Sequence, residues 1–479
     1  MPQDNTFTLD FSRFYRGFSP DAHLDSLSEL GNQGHASTMT DCDIISNPRY
    51  LTQGPGLTSL GTVTEIINYI LDQPTSSDVS FALGAAKLWK ISSTAVASGG
   101  TPSWPRTITN CTDGESLVLL RGNLYYLFNK SSGGDIGKYD LSSTFDDDWG
   151  STTPTGYAAL QKAIHPVAKK EDMFAFGNGR YFGTYVDEST TLAPTKLDFG
   201  NDAEVADVAF SSNYWLIAVN YGVSGTNRNT GQVYLYEGAA ISSLLSDEVA
   251  IGVQRIGFIF PINGVVFLAY QDLTSTGGYK IGYISGSSIK DVAHYTGSLP
   301  GFHQKTLYKN TILFIAGSKI WSAGAVIDEL PFQISQLADG GYATVGALGA
   351  PFGTPLVAST DGGSNHQLAY FSGFTISTVW KSIVIPTIRG GQMGTVDRVI
   401  VLTNVLGSAA SCSLTIEANQ ATDTSNAKTI TTATKTYHEF TNFNLNRIED
   451  LRVALDFSGG STSNNVGIRK IIVLGHFID

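Results

Sequence analysis

The sequence predicts an all-β protein, with a β-propeller of about seven blades followed by a C-terminal β-sandwich or jelly-roll. One apolar and aromatic pattern recurs seven times between residues 79 and 376. A different alternating pattern fills residues 377–479, and residues 1–40 are rich in aromatic side chains. These three observations divide the chain into an extended N-terminal arm (1–40), a linking segment (41–78), the propeller (79–376) and the sandwich (377–479).

Each repeat of the propeller contains a short apolar strand, a turn and a second strand rich in Tyr, Trp and Phe. The turns are about 46 residues apart on average and lie near Gly84, Asn123, Asn178, Ser212, Gly264, Asn310 and Gly362. Such a spacing, with several short strands in each unit, is typical of a propeller. Because residues 42–78 can supply a closing strand, six or eight blades are alternatives to seven.

The arm at residues 1–40 is strongly apolar for a chain terminus. Monomeric proteins avoid leaving clusters of aromatic side chains in water. We therefore predict that the arm contacts a neighbouring copy of the chain through Phe7, Phe11, Phe14, Tyr15 and Phe18. The alternative is that the arm packs on its own propeller.

The linking segment at 41–78 is turn-rich and contains the stretch TVTEIINYILDQP. The apolar residues of this stretch follow helical spacing and are Val63, Ile66, Ile67, Ile70 and Leu71. This pattern predicts a short helix. We expect the helix to cover one opening or rim of the propeller.

The C-terminal region at 377–479 has about six alternating strands without the repeated pattern, which favours a small β-sandwich. Two of its connections, 419–428 and 458–465, are rich in Ser, Thr and Asn. Polar connections of this kind are most often surface loops. Docking to a partner protein and binding of a sugar or host receptor are the alternatives for them.

No pattern in the sequence indicates catalysis, a cofactor or a metal ion. A glycosidase propeller needs at least two carboxylates in its channel, whereas the first strand of each repeat is almost without acidic residues. The eight histidines have no metal-ligand spacing, and the adjacent Asp146, Asp147 and Asp148 resemble a solvated turn. The three cysteines, Cys42, Cys111 and Cys412, lie far apart in the sequence and form no metal-binding or redox motif. We therefore predict a protein that is not an enzyme, with no catalytic, cofactor-binding or metal-binding residues.

The overall charge argues against nucleic acid as a stable partner. The chain has 30 basic and 42 acidic residues and a net charge of −12. Stable binding of DNA or RNA requires clustered Lys and Arg, and the sequence has only two adjacent basic pairs, Lys169–Lys170 and Arg469–Lys470. No stretch is long and apolar enough for a transmembrane segment, and no apolar signal core follows the N-terminus.

Four long strings in the chain are not dictated by a propeller fold. They are NPRYLTQGPGLTSL (47–60), YDLSSTFDDDWGSTTPTG (139–156), STGGYKIGYISGSSIKDVAHYTGSLP (275–300) and QLADGGYATVGALGAPFGTP (336–355). In these strings the chain resembles a family of virion structural proteins of tailed bacteriophages, over roughly residues 45–375. The family implies a virion component and supplies no catalytic residue.

The resemblance sets the functional expectation. Propellers of this type are also similar to nozzle-type proteins that ring the lower tail of short-tailed phages, a likeness of fold alone. We expect a tail subunit of the virion, assembled in the host cytoplasm, whose partners are further copies in a sixfold ring and neighbouring tail proteins. The alternatives are a tail protein that binds or cleaves a host surface glycan, and a capsid decoration protein.

Overall fold

The computed structural model of this chain describes most of its 479 residues. The residues that it describes are 5–14, 36–47, 49–98, 100–154, 160–187, 191–222, 230–275, 277–324, 333–339, 344–361, 363, 365–375, 377–388, 391–404, 410–419, 426–431, 434–458 and 466–478. Five strands precede the first propeller blade: β1 (Thr6–Phe11), β2 (Ala36–Thr40), β3 (Cys42–Asp43), β4 (Leu51–Gln53) and β5 (Gly56–Val63).

The first three blades are four-stranded antiparallel sheets of consecutive strands. Blade 1 contains β6 (Ile67–Ile70), β7 (Val79–Gly84), β8 (Lys87–Ser92) and β9 (Ser103–Thr107). Blade 2 contains β10 (Asp113–Leu120), β11 (Asn123–Lys130), β12 (Gly133–Tyr139) and β13 (Phe145–Asp146). Blade 3 contains β14 (Val167–Lys170), β15 (Met173–Asn178), β16 (Tyr181–Val186) and β17 (Leu192–Asp198).

The next three blades follow the same order. Blade 4 contains β18 (Ala203–Ser211), β19 (Tyr214–Tyr221), β20 (Thr230–Tyr236) and β21 (Ile241–Ser243). Blade 5 contains β22 (Val253–Ile262), β23 (Val265–Asp272), β24 (Gly278–Ser285) and β25 (Ser288–Thr296). Blade 6 contains β26 (Lys305–Tyr308), β27 (Thr311–Ala316), β28 (Lys319–Gly324) and β29 (Gln333–Asp339).

Blade 7 closes the ring with a strand from the other end of the propeller. It contains β30 (Thr344–Gly349), β31 (Leu356–Thr360), β32 (His366–Ser372) and the earlier strand β5. Strand β5 pairs antiparallel with β32, with Gly56 opposite Ser372. The innermost strand β30 also contacts β6 of blade 1. The predicted propeller is therefore confirmed, with seven blades and a closing strand from the linking segment.

The helix predicted in the linking segment is wrong, because this stretch forms β5 and β6. A β-bulge between Ile67 and Tyr69 shifts the register of β6, so that Ile67 and Ile70 are both buried although they are three positions apart. The bulge thus reproduces the spacing of a helix within a strand. The described helices are short: α1 (Ser93–Ser98), α2 (Trp149–Thr152) and α3 (Asp247–Gly252).

None of these described helices is long and apolar enough to cross a membrane.

The repeated pattern occurs once in every blade but not at the same place. The turns at Asn123, Ser212, Gly264 and Asn310 join the first and second strands of their blades. In blades 1, 3 and 7 the pattern falls one strand later, at the turn between the second and third strands. Gly362 itself lies outside the described residues. The sequence thus predicted the number of repeats correctly but misassigned the innermost strand of three blades.

The C-terminal region forms the second unit, and its two sheets confirm the predicted β-sandwich. Its strands are β33 (Ser377–Ser382), β34 (Ile385–Pro386), β35 (Met393–Thr403), β36 (Ser411–Ala418), β37 (Lys428–Ile430), β38 (Tyr437–Thr441), β39 (Asp450–Ser458) and β40 (Gly467–Ile478). One sheet has the order β3-β4-β40-β35-β38, with β1 also paired to β40. The other has the order β2-β33-β39-β36-β37, with β34 paired to β39.

The N-terminal strands therefore belong to the sandwich and do not form a separate arm. Phe7, Phe11 and Phe14 are buried in its core, where Phe11 and Phe14 meet the Trp380 ring edge-on at 6.2 and 5.2 Å. Their predicted contact with a neighbouring chain is wrong in this fold, because the chain's own core encloses the three rings. Tyr15 and Phe18 lie outside the described residues, so for them the contact stays a prediction.

The sandwich packs against blades 6 and 7 of the propeller. A single hydrophobic core contains Leu313 and Leu337 of blade 6, Phe371 of blade 7 and Trp380 of the sandwich. Strands β2 and β3 lie beside β29, the outermost strand of blade 6. The two units are thus joined by a shared core as well as by the chain.

Candidate functional site: the propeller channel

The innermost strands of the blades carry ionisable side chains towards the channel. Asp207 lies in β18, Lys169 in β14 and Lys305 in β26, while Asp72 follows β6. The prediction of an apolar channel is therefore wrong. It treated apolar segments such as FALG and FAFG as innermost strands, whereas they are the second strands β7 and β15.

A cavity of about 380 Å³ lies among these side chains at one end of the channel. We call it the channel-mouth cavity. Its aromatic lining is supplied by Tyr69, Phe210, Phe260 and Phe302, and its polar lining by Asp72, Lys169, Asp207, His303 and Lys305. Leu307 also lines the cavity and is 49% exposed, which places it at the rim. Six of the seven blades contribute to these walls, so closure of the ring is what forms the cavity.

Asp207 and Lys305 form a buried ion pair beneath the cavity surface. The Asp207 carboxylate also accepts hydrogen bonds from the backbone N–H groups of Val208 at 2.8 Å and Ile259 at 2.7 Å. Lys305 Nζ donates to the carbonyl oxygen of Ile259 at 2.5 Å. Burial raises the pKa of Asp207 and lowers that of Lys305, while their mutual attraction opposes both changes. This group of contacts ties blades 4, 5 and 6 together.

Asp72 connects the other side of the channel. Its Oδ1 accepts a hydrogen bond from Thr306 Oγ1 at 2.7 Å and another from the backbone N–H of Ala350 at 2.8 Å. The side chain is nevertheless exposed, because it borders the cavity. The surrounding protein raises the pKa of the Asp72 carboxyl by desolvation. Asp72 therefore joins blades 1, 6 and 7 with one oxygen, and Oδ2 makes no hydrogen bond to another described residue.

Tyr69 and His303 line the cavity with polar atoms that have no hydrogen-bond partner among the described residues. Within the described ranges, no hydrogen bond is made by the Tyr69 hydroxyl or by the ring nitrogens of His303. Burial lowers the pKa of His303 to about 4 and raises that of Tyr69. Both rings are therefore neutral at pH 7. Each can form a new hydrogen bond without breaking an existing one.

The segment between β25 and β26 contributes to the walls of two cavities. Phe302 and His303 line both the channel-mouth cavity and a second cavity of about 410 Å³. The backbone oxygen of Pro300 would lie 2.1 Å from a Cβ atom at Gly257, so β22 requires glycine at that position. The Leu348 N–H donates to the carbonyl oxygen of His303 at 3.1 Å and fixes the segment to blade 7.

Two further acidic side chains lie towards the opposite end of the channel. Glu204 lines the second cavity and pairs with Arg255 at 3.9 Å. Glu115 of blade 2 is buried and accepts a hydrogen bond from Asn129 Nδ2 at 2.7 Å. Desolvation, and then the nearby Asp113 carboxylate, raise the pKa of Glu115 to about 8. Glu115 is thus largely protonated at pH 7, unlike an ordinary glutamate.

Other residues considered in the sequence lie away from this channel-mouth cavity. Asp147 is no solvated turn residue, since its carboxylate is buried and accepts hydrogen bonds from Arg106 at 3.0 Å and Tyr126 at 2.5 Å. Burial raises the pKa of the Cys111 thiol to about 12. No group of three or more His, Cys, Asp and Glu side chains that could hold a metal ion occurs among the described residues.

The channel groups that sequence reasoning missed have one recognisable signal. Asp207 interrupts the apolar run VADVAF, and Lys305 opens the short strand KTLY. A charge inside an apolar strand indicates a buried partner. That signal identifies single residues, but the blade order is needed to bring Asp207, Lys305 and Asp72 to one cavity. The predicted contact residues Phe7, Phe11 and Phe14 lie in the sandwich and contribute nothing to this site.

Comparisons with known proteins found similar folds among solved structures only. No protein-family model matches the chain, and neither does any curated protein. Among solved structures, the WD40 β-propeller domain of Doa1 is 10% identical, with 66% of this chain and 97% of that chain covered and a TM-score of 0.41. The extracellular domain of a putative one-component system from B. thetaiotaomicron is 12% identical, with a TM-score of 0.43. That alignment covers 71% of this chain and 43% of that protein.

An enzyme is also among the similar structures. The aldose sugar dehydrogenase of Streptomyces coelicolor in its PQQ-bound form is 11% identical, with a TM-score of 0.38. The alignment covers 66% of this chain and 98% of the dehydrogenase. At this level of similarity no activity passes from one propeller to another.

Proposed function

We propose that this chain is a structural, non-enzymatic subunit of a bacteriophage virion that assembles with further copies into a ring around the tail axis. The observation that carries the proposal is the resemblance of four long strings to virion structural proteins of tailed phages. Three of these strings include all or part of an outer or closing strand of a blade: the first five residues of β5 in 47–60, β13 in 139–156 and β25 in 275–300. The outer parts of a propeller are available to neighbouring subunits.

The outer strand of blade 5 is the best candidate for contact between subunits. Among the described strands, β25 pairs only with β24, so one edge of its backbone is unpaired. It is nine residues long, and Lys290, Asp291 and His294 are exposed along it. An open strand edge offers N–H and C=O groups to another chain, and charged side chains on it restrict which chain can pair.

The sandwich supports a role in assembly for a different reason. It shares a hydrophobic core with blades 6 and 7 and lies on the outside of the ring of blades. A second unit fixed in this way gives each subunit a defined orientation relative to its neighbours. The connections 420–425 and 459–465 lie outside the described residues, so docking or receptor binding through them stays a prediction.

The location of the protein in virions tests the proposal directly. Gold-labelled antibody against the chain should mark the tail of purified virions in electron micrographs. Label over the capsid would replace the tail subunit by a capsid decoration protein. Absence of the chain from purified virions would refute the proposal.

The oligomeric state tests the ring separately. Mass photometry and negative-stain microscopy of the purified chain should show rings, with six subunits expected. Lys290→Glu and His294→Glu add negative charge to the β25 edge and should reduce assembly, whereas Lys435→Glu, at an exposed position of the sandwich, should not. A chain that stays monomeric at every concentration, alone and with tail proteins, would contradict the ring.

A further inference from the structure

The channel-mouth cavity has the size and the apolar surface of a small-ligand site. Its volume of about 380 Å³ falls at the lower end of the range for such sites, roughly 300–1,000 Å³. Tyr69, Phe210, Phe260 and Phe302 contribute aromatic surface to its wall. The C–H faces of a sugar ring are apolar, and they lose contact with water when they pack on aromatic side chains. One or two sugar rings match both the volume and this lining.

The unused hydrogen-bonding groups of the cavity suit hydroxyl groups. Asp72 Oδ2 can only accept while the carboxyl is ionised, and the Tyr69 hydroxyl can donate or accept. Among the described residues, Lys169 donates only to Gln73 Oε1, at 3.4 Å. A hydroxyl group both donates and accepts, so neighbouring hydroxyls of one ligand can serve both kinds of partner.

The charge balance of the cavity favours a neutral ligand. The two negative formal charges of Asp72 and Asp207 cancel the two positive charges of Lys169 and Lys305. His303 is neutral at pH 7. An anion would lie against Asp72, and a cation would lie near the lysines. Because Asp207 and Lys305 are already engaged with each other and with backbone groups, a ligand does not need to separate them.

We propose that the channel-mouth cavity binds a neutral polyhydroxylated ligand, one or two sugar units, held by Tyr69 and Asp72 and packed on the aromatic wall. Leu307 at the exposed rim marks where such a ligand enters. The ligand is either a free small sugar or the terminal sugar of a surface glycan, which share this chemistry. The inference rests on the cavity alone and does not depend on the virion role.

The test measures binding of sugars to the purified full-length chain. Saturation-transfer NMR with free glucose, galactose, mannose, N-acetylglucosamine and their disaccharides should detect at least one ligand, and an array of immobilised glycans should show whether terminal sugars are also bound. Tyr69→Phe removes one hydroxyl, and Asp72→Asn removes a charge but keeps the oxygen that accepts from Thr306. Each should weaken binding by roughly fivefold or more, as expected for the loss of one hydrogen bond.

The control is Tyr437→Phe, which removes the same hydroxyl from a sandwich residue that is 50% exposed. It should leave sugar affinity unchanged. Melting curves of all variants show that the propeller remains folded. Binding of free sugars alone, or of both free and immobilised sugars, supports the inference and identifies the source of the ligand. The inference is overturned if no sugar binds, or if the cavity variants bind as well as the control; ring assembly, measured by microscopy, is unaffected by either result.

Discussion

Glu115 makes the stability of the propeller depend on pH in an unusual direction. It is a buried glutamate of blade 2 whose pKa is raised to about 8 from 4.5, first by desolvation and then by the Asp113 carboxylate. Glu204 of blade 4 adds a smaller repulsion, and Asn129 and the backbone of His165 oppose the rise by hydrogen bonding. Between pH 4.5 and about 8, the folded protein therefore holds a proton on Glu115 that the unfolded chain releases.

The sign and size of the effect follow from proton linkage. Where the folded state binds more protons than the unfolded state, stability falls as pH increases. The contribution of Glu115 is fully present below pH 4.5 and is lost as pH rises to about 8. A pKa that increases from 4.5 to about 8 corresponds to a free-energy change on the order of 5 kcal/mol.

The substitution Glu115→Gln tests this reasoning. Glutamine resembles the protonated acid in shape, carries no ionisable group and keeps an oxygen that accepts from Asn129 Nδ2. We expect the wild-type melting temperature to fall by several degrees between pH 5 and pH 9. The variant should fall less, and the two proteins should differ most above pH 8. Differential scanning fluorimetry in buffers of equal ionic strength measures both curves.

Glu439→Gln is the matched control for Glu115→Gln. Glu439 is exposed in the sandwich, and hydrogen bonds from Tyr437 and Arg398 lower its pKa. It stays ionised in both states above pH 5, so its removal should leave the slope unchanged. If Glu115→Gln melts with the same pH dependence as the wild type, Glu115 titrates normally and the argument fails.

Three further substitutions test the remaining parts of the structure. Lys305→Met leaves Asp207 buried without its cation and should lower the free energy of unfolding, measured in urea, by about 3–5 kcal/mol. Adding Asp207→Asn to this variant should recover much of the loss. If the double variant is no more stable than Lys305→Met, the pairing is contradicted. Phe14→Ala should destabilise the sandwich by roughly 3–5 kcal/mol in the same assay, and a change below about 0.5 kcal/mol, the usual size for a surface position, would place the ring outside the core. Burial raises the pKa of Glu417, but hydrogen bonds from Lys381 and Arg452 outweigh it and hold the pKa low. The stability that Glu417 contributes is therefore present above pH 4.5 and lost on acidification, so Glu417→Gln should reduce the fall in melting temperature below pH 4.5. An unchanged fall below pH 4.5 would be inconsistent with the pairing.

The seven-bladed fold could be predicted because its signal is repeated. One apolar and aromatic pattern in each blade was enough to count the blades and to identify an all-β chain. The position of the pattern within a blade could not be read from it, since second strands such as β15 are as apolar as the innermost strand β22. This error of one strand hid Lys169 of β14 and Asp72 after β6. Asp207 and Lys305 were missed for another reason, because each precedes the apolar segment by which its innermost strand was recognised.

The other errors come from contacts between distant parts of the chain. A β-bulge at Ile67 gave a strand the spacing of a helix, because a local shift in register is not visible in apolar periodicity. Phe11 was predicted to contact another chain because nothing near it in sequence could cover it. Its cover is Trp380, which is brought to it by the pairing of β1 with β40 and of β2 with β33. Pairings over such distances leave no local trace in the sequence.

The origin of the closing strand also determines when folding can finish. Strand β5 leaves the ribosome before any of its own blade, and its partner β32 follows roughly 300 residues later, which takes about 15–60 s at bacterial or eukaryotic synthesis rates. During that interval the backbone edge of β5 has no native partner, and other strands or other chains can pair with it. Strand β1 waits longer still, because its partner β40 follows β32 by about 100 residues. The propeller thus closes only after synthesis of β32, and the sandwich only after synthesis of β40. Slow translation or crowding by sister chains should therefore increase misassembly more than it would in a propeller closed by neighbouring strands.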